Sequence, residues 1–455
     1  MNIYIGVEIS VRELDSSLLL ATLAASKGHQ VIVSDLESIT KGIEKGLLSP
    51  GIFHAKSLTP ADHKIARHKA MIDKGFMITS LDEEGGLDIS GYEEFSKRRY
   101  SEKTIAQSSA VFGWGSEDVE TLIQVYPKHT SKIHMTGSPR ADLWKSVFKE
   151  YWGIPQLAPV KPFLLVSSNM GLANNTIPFY KVIKSKKDSG YYQRDPKMFK
   201  KDMGRIGEDY LRTSAFIEAI QYLAVNNNGY DIVLRPHPIE DIEAWKFYLK
   251  DIPNVHVIRE GSISAWVNNA FAIMHNRCTT SLEATISKKP VVTYIPYKNM
   301  QYGDAPSNKV GYRAESKEDL LLIINKIFDD IKLGNQKNEI EQIPEVVLKK
   351  VYIDKNQLSA EKIVKVWDSL NNNNTKPSNL KMFKWLLKAY KFRKMIGKVR
   401  RHLIGRFNHH NDNNKFPLLK SDDIYKRVSK LQKILKIDVI KCELLSDRTI
   451  LIKRQ

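Results

Sequence analysis

The chain has two cysteines, Cys278 and Cys442, in 455 residues. Two thiols provide neither a disulfide framework nor a cysteine-based zinc site, and their scarcity fits a reducing compartment. No apolar run approaches the roughly 20 residues of a membrane-spanning helix. The opening Met1-Asn2-Ile3-Tyr4-Ile5-Gly6-Val7 reads as a strand and not as a signal peptide. A cytoplasmic protein is therefore expected, or one held peripherally at the inner face of the cytoplasmic membrane. Three phosphate-handling signatures are also missing: an Asp-x-Asp metal clamp, a Walker lysine loop and a Gly-x-Gly-x-x-Gly turn. Chemistry that depends on any of them is excluded, and neither a metal nor a cofactor is expected.

Positive charge is abundant. Seventy basic residues against 51 acidic ones give a net charge of +19. The excess is uneven: Lys381 to Arg406 holds ten Lys/Arg and no acid. Such a block points to an anionic surface as partner. Its apolar residues Phe392, Ile396, Val399, Leu403 and Phe407 fall on one helical face, which suits a membrane-surface helix spanning 381–407. No nucleic-acid recognition module accompanies the block, so nucleic acid is not the expected partner.

Periodicity divides the chain into two α/β halves. Strands are expected at Asn2–Val7, Gln30–Ser34, Phe76–Thr79, Ala110–Gly113 and Lys132–Met135, with helices at Arg12–Lys27, Pro60–Lys74 and Glu117–Gln124. The proline-rich stretch 154–162 reads as a linker. A second series follows: strands at Phe163–Ser167, Tyr230–Leu234, Val255–Ile258, Ala272–His275 and Pro290–Ile295, with helices at Tyr210–Asn226 and Ser316–Phe328. A helix at Ala360–Leu370 is placed to cross back to the first half. The expected domains are 1–153, 163–370 and a basic helical tail, 371–455, containing polar linkers at 371–377 and 409–415. This is an α/β fold of two Rossmann-type, doubly wound domains facing a cleft, the GT-B-like architecture of nucleotide-sugar enzymes.

The candidate site residues stand where strands end. Arg235-Pro236-His237-Pro238 follows one strand; the prolines stiffen the loop, Arg235 suits phosphate and His237 suits a leaving phosphate oxygen. His275 and Cys278-Thr279-Thr280-Ser281 follow another strand and offer hydroxyls to a phosphate. Glu283 is placed to accept from ribose hydroxyls, and Cys278 reads as a packing residue. In the first half, Asp82-Glu83-Glu84-Gly85-Gly86 puts three carboxylates at a strand end, where crowding raises their pKa and suits base or nucleophile chemistry. Glu8 and Arg12 flank the first strand's end. Arg140 with Asp142 follows a later strand, and Ser168 and Asn169 follow the first strand of the second half; these are candidate acceptor contacts.

Taken together, Glu83-Glu84-Gly85, His237-Pro238 and Thr279-Thr280 resemble the acidic-acidic-Gly, His-Pro and paired-hydroxyl motifs of bacterial GT-B sialyltransferases. A fuller set resembles the bacterial surface carbohydrate biosynthesis proteins, and through them retaining Kdo transferases. That set is Arg12-Glu13-Leu14-Asp15, Asp82 to Gly85, Gly113-Trp114-Gly115, Thr136 to Asp142, Arg235 to Glu240 and His275 to Ala284. It departs from the expected pattern at Ser138, where asparagine is more usual. The resemblance implies a CMP-activated 2-keto-3-deoxy sugar acid, Kdo or sialic-acid-like, transferred without metal to a surface polysaccharide or lipid-linked glycan. It implies Glu83 or Glu84 as the catalytic carboxylate, with Arg235, His237, Thr279 and Thr280 holding the CMP phosphate. Other readings stand beside it: a GT-B nucleotide-sugar epimerase, a polyol-phosphate polymerase, or a non-catalytic assembly protein that binds membrane or nucleic acid.

Overall fold

The computed structural model describes the chain except for residues 86–91, 299, 302–304, 336–342, 371–376, 404–415 and 439, and except for the side chains of 306, 394 and 397–403. Gly86, Phe407, most of the first polar linker and the second, and the side chains of Val399 and Leu403 thus lie outside the described residues. The chain forms two compact units: residues 1–143 with 348–455, and residues 144–347.

The first unit begins with six strands, β1 (Asn2–Val7), β2 (Gln30–Asp35), β3 (Ile52–Ala55), β4 (Met77–Leu81), β5 (Ala110–Gly113) and β6 (Ile133–Met135). All six are parallel. The second unit contributes β7 (Phe163–Ser167), β8 (Asp231–Arg235), β9 (Val255–Val257), β10 (Ala272–His275), β11 (Val291–Tyr294) and β12 (Tyr312–Ala314), again parallel throughout. Most of these strands are short apolar runs buried along their length, as a sheet covered on both faces requires. The last strands, β13 (Ile440–Ser446) and β14 (Thr449–Arg454), form an antiparallel hairpin, and β14 adds antiparallel to β2 in the first sheet. Ser34 Oγ and Thr449 Oγ1 meet at 2.7 Å across that seam.

The first sheet runs β13-β14-β2-β1-β3-β4-β5-β6 and the second β12-β11-β10-β7-β8-β9. Each sheet has one place where its order reverses direction. In the first it lies between β1 and β3, in the second between β7 and β10. In open parallel sheets the loops leaving the carboxyl ends of the strands diverge there and open a crevice for ligands. The order of the second sheet is that of a dinucleotide-binding domain, and that of the first is flavodoxin-like with added strands.

The units do not end where the sequence places them. The second starts at Trp144, because Ser287 Oγ donates to Trp144 O at 2.8 Å and Asn269 Nδ2 to Gly153 O at 2.7 Å. Residues 154–162 therefore lie inside it. The helix Ser359–Ser369 belongs to the first unit: Trp367 is fully buried and its Nε1 donates to Thr79 Oγ1 at 3.1 Å. Nor is 371–455 a detached tail. Phe383 and Leu387, on helix Leu380–Leu403, join the first core with Ile39, Ile43 and Leu48. Helix Ser421–Leu435 buries Ile424, Val428 and Leu431. The helix expected at 210–226 extends back to Lys197.

Candidate active site

In the first unit, a recess opens at the reversal point. Ile5 and Gly6 of β1, His54 and Lys56 at the end of β3, Glu13 of helix Ser10–Ser26, and Glu83 after β4 line it. Glu83 is half-buried as a residue, but its Oε2 is sealed from solvent and has no hydrogen-bond partner. Its carboxyl is raised to about 8: loss of hydration is the largest cause, Glu13 and Asp82 add to it, and Arg140 and Arg12 oppose it. A carboxyl in that range exchanges protons near neutral pH. Glu13, 1% exposed, turns Oε2 onto the backbone N–H of Glu8 at 2.6 Å and of Ile9 at 3.2 Å. It thereby ties the end of β1 to the first turn of its helix. Lys56 reaches Glu8 at 2.5 Å and Glu13 Oε1 at 3.7 Å. His54 donates to or accepts from Thr79 at 3.0 Å, and burial lowers its pKa to about 3, so the ring is neutral.

The three adjacent carboxylates have separate fates. Asp82, 1% exposed, receives Arg99 in a bidentate pair at 2.8 and 2.9 Å and the backbone N–H of Glu84 at 3.0 Å. It builds the turn and is withdrawn from chemistry, contrary to its place among the catalytic candidates. Glu84 is exposed, with Arg12 and Arg99 each 3.6 Å away. Only Glu83 faces the recess. Gly85 lets the turn press against the Trp114 ring, since a side-chain carbon there would stand 2.8 Å from it. Asp142 is fully buried and accepts from the backbone N–H groups of Ser359 and Ala360 at 3.0 and 2.9 Å, capping that helix. Glu8, Arg12, Glu83, Glu84 and Arg140 thus surround the carboxyl ends of β1, β3 and β4, while Asp82 and Asp142 hold the frame.

The second unit gathers its candidates at its own reversal point. Asn169 Nδ2, after β7, donates to Arg277 O, after β10, at 2.9 Å. Ser167 Oγ lies 3.3 Å from Thr280 Oγ1 and 3.2 Å from Cys278 Sγ. His237 and Pro238 are exposed after β8, and Thr279 is half-buried. The remaining candidates have other tasks. Arg235 donates to the carbonyls of Glu260, Arg259 and Gly261 at 2.6, 3.1 and 3.0 Å, over the Trp266 ring. Its guanidinium binds the loop after β9 and not a phosphate. His275 is fully buried against Thr293 at 2.9 Å, and burial lowers its pKa to about 3, so it carries no charge to an anion. Ser281 donates to the carbonyls of Cys278 and Ser307 at 3.0 and 3.1 Å, and Glu283 is buried, 2% exposed. Ser168 donates to Glu240 at 2.6 Å and is no acceptor contact. Each was expected at a surface because strand-end loops usually lie there. In this unit several of those loops fold inward to satisfy one another's polar groups.

Glu240, Lys56 and Arg277 were not among the sequence candidates. Glu240 is fully buried and receives Ser168 Oγ, the Met170 N–H and Trp245 Nε1 at 2.6, 2.7 and 2.6 Å, locking the β7 loop to the β8 loop. Lys56 follows β3, a four-residue strand after Pro50-Gly51 that the sequence reading does not mark. Reading His54 and Lys56 as the end of a strand would have found it. Arg277 adopts a left-handed backbone, φ 57°, which a non-glycine residue takes up at a cost, and such strain gathers at functional sites.

No protein-family model matches the chain, and no curated protein sequence does. Among solved structures, a UDP-GlcNAc 2-epimerase from Methanocaldococcus jannaschii in complex with UDP-GlcNAc and UDP is 13% identical, with TM-score 0.45, covering 81% of this chain and 100% of that one. The Neisseria meningitidis UDP-GlcNAc 2-epimerase bound to UDP-GlcNAc is 12% identical, with TM-score 0.44 and coverage of 81% and 100%. A glycosyltransferase from Rickettsia africae is 12% identical, with TM-score 0.45 and coverage of 82% and 98%. At TM-scores below 0.5 these likenesses decide neither fold nor chemistry. The two-unit parallel α/β fold is established by the chain's own sheets.

Proposed function

We propose that the protein is an enzyme of nucleotide-activated sugars, and specifically a metal-independent glycosyltransferase in which Glu83 is the proton acceptor. The observation that carries this reading is Glu83 itself: a carboxyl raised to about 8, lining a recess at the reversal point of a parallel sheet. In the reaction, Glu83 takes the proton of an acceptor hydroxyl. The acceptor oxygen bonds to the anomeric carbon, and the sugar–phosphate bond breaks with its electron pair leaving on the nucleotide phosphate. Arg12, Arg140 and Lys56 border the recess and suit an anionic sugar substrate. We assign the nucleotide to the carboxyl-end loops of the second unit, where exposed His237 and half-buried Thr279 stand as the phosphate contacts. The resemblance noted in the sequence supports CMP as the nucleotide and a 2-keto-3-deoxy sugar acid as the group moved, with a glycan or lipid-linked acceptor.

A second reading rests on the carboxyl pair. Glu13 and Glu83 act on each other across the recess, and two carboxyl groups suit a reaction that removes a proton from a carbon and returns one to the opposite face of that carbon. That is the chemistry of a nucleotide-sugar epimerase, which the matched structures from M. jannaschii and N. meningitidis are described as performing on UDP-GlcNAc. A thermal-shift screen with CMP, UDP, GDP and CDP separates the two, because a ligand that binds only the folded state raises the melting temperature. CMP-selective stabilisation, with transfer lost in Glu83→Gln, is the expected result. UDP-selective stabilisation with solvent-proton exchange and no acceptor favours the epimerase. No stabilisation by any nucleotide removes both.

A further inference from the structure

Helix Leu380–Leu403 has two apolar faces, and the first unit occupies one of them. Phe383 and Leu387 are buried in the core, with Phe383 so close to Gly42 that a side-chain carbon there would come within 2.6 Å. Lys384 pairs with Glu443 at 3.2 Å, and Lys391 with Asp447, in the turn of the terminal hairpin, at 2.8 Å. Lys41 sits 3.2 Å from the centre of the Tyr390 ring. These contacts fix the helix's rotation about its axis.

The opposite face carries Met382, Trp385, Phe392 and Ile396, whose spacing places them on one stripe. Trp385 is 63% exposed, Phe392 58% and Ile396 50%. Single exposed apolar residues are ordinary, but an aligned stripe containing a tryptophan marks a contact surface. Exposed Lys381 and Lys388 border it on one side and exposed Arg393 on the other. The stripe begins three turns before the face expected from sequence. The residues between Phe383 and Leu387 were hard to read there, because both faces of the helix are apolar.

We infer that this stripe is a membrane-docking face for an anionic phospholipid surface. An aromatic and aliphatic ridge between cations fits the headgroup boundary: the ridge enters the acyl edge while lysine and arginine meet lipid phosphates. A nucleic acid would satisfy the cations but leave Met382 and Ile396 in water. A second copy of the chain would bring a block of ten basic residues against an identical one. The inference stands apart from the identity of the sugar donor. It places the enzyme where a lipid-linked substrate is found.

The test is co-sedimentation of the full chain with vesicles of phosphatidylglycerol and phosphatidylcholine, and with phosphatidylcholine alone. Binding is expected to anionic vesicles only and to weaken with salt. Trp385 emission should shift to the blue on binding, since Trp114, Trp144, Trp245, Trp266 and Trp367 are already buried and Trp152 is half-buried in the second unit. Trp385→Phe should keep the binding and lose the shift. Phe392→Ser with Ile396→Ser should weaken binding at least about tenfold, and each lysine removed, Lys381→Glu or Lys388→Glu, about fivefold or more. All these positions are exposed, so the melting temperature should not move, and a melt separates lost docking from lost fold. Binding that survives both the apolar and the charge variants overturns the inference. So does absence of binding to anionic vesicles, tighter salt-dependent binding to single-stranded RNA, or a dimer that the apolar variants abolish.

Discussion

Glu83 and Asp82 are neighbours in sequence and opposites in role, and what separates them is a guanidinium. Arg99 neutralises Asp82, whereas Glu83 has an oxygen in a dry pocket without a partner. If Glu83 is the proposed general base it must be ionised to act, so turnover should rise with pH and level off above about 8. Glu83→Gln should lower kcat by about 10²–10⁴-fold. Glu84→Gln, at an exposed position, should have a smaller effect. Stability gives an independent check. A carboxyl raised on folding holds its proton while the unfolded chain releases it, so the folded state loses ground as pH climbs from the ordinary carboxylate range towards 8. Glu83→Gln should therefore gain melting temperature over wild type across that window, reach its full advantage near pH 8, and show none below pH 4. Glu240 makes the opposite case. Its three donors leave no tolerance for a neutral amide, and Glu240→Gln should cost about 2–4 kcal/mol in urea unfolding by turning an NH₂ towards donors.

Elements explain where the sequence could be read and where it could not. Strands β1, β5, β7 and β10 carry isolated apolar runs between turn residues, and their expected bounds coincide with those found. The candidate loops after β4, β8 and β10 were legible for the same reason, because a strand end can be located from its run. Which side chains face a ligand was not legible. That depends on partners distant in sequence, such as Arg235 with the carbonyls at 259–261 or Ser168 with Glu240. The hairpin β13–β14 escaped because its apolar run, Thr449 to Ile452, is hidden between basic ends in a lysine-rich context. Helix Leu380–Leu403 supplies a prediction at this scale. Phe383→Ala should cost about 3–5 kcal/mol, the toll of a large buried cavity, although the residue lies in a block that reads as a solvated basic tail.

At the scale of the molecule, one unit is continuous and the other is not. Residues 144–347 hold a complete six-stranded sheet, its core and both sides of its reversal point. Expressed alone, they should unfold in one cooperative transition and retain nucleotide binding by thermal shift. Residues 1–143 alone lack Trp367, the helix capped by Asp142, and the strand that covers β2. They should be aggregation-prone, and co-expression with 348–455 should recover them. The division into two α/β halves was legible from rhythm. The return of the chain to complete the first half was legible only at Ala360–Leu370, because the closing contacts join residues hundreds of positions apart.

The seam between Ser34 and Thr449 joins residues 415 positions apart. At a synthesis rate of about 5–20 residues per second, β2 waits roughly 20–80 seconds for the strand that closes its edge. During that interval the nascent first sheet presents open backbone N–H and C=O groups on every ribosome making it, while the second unit has all it needs to fold. A chain cut just before Thr449 would therefore keep every proposed site residue and yet leave the β2 edge open for a chaperone to cover. The hairpin β13–β14 is thus under a folding constraint that the proposed chemistry does not require.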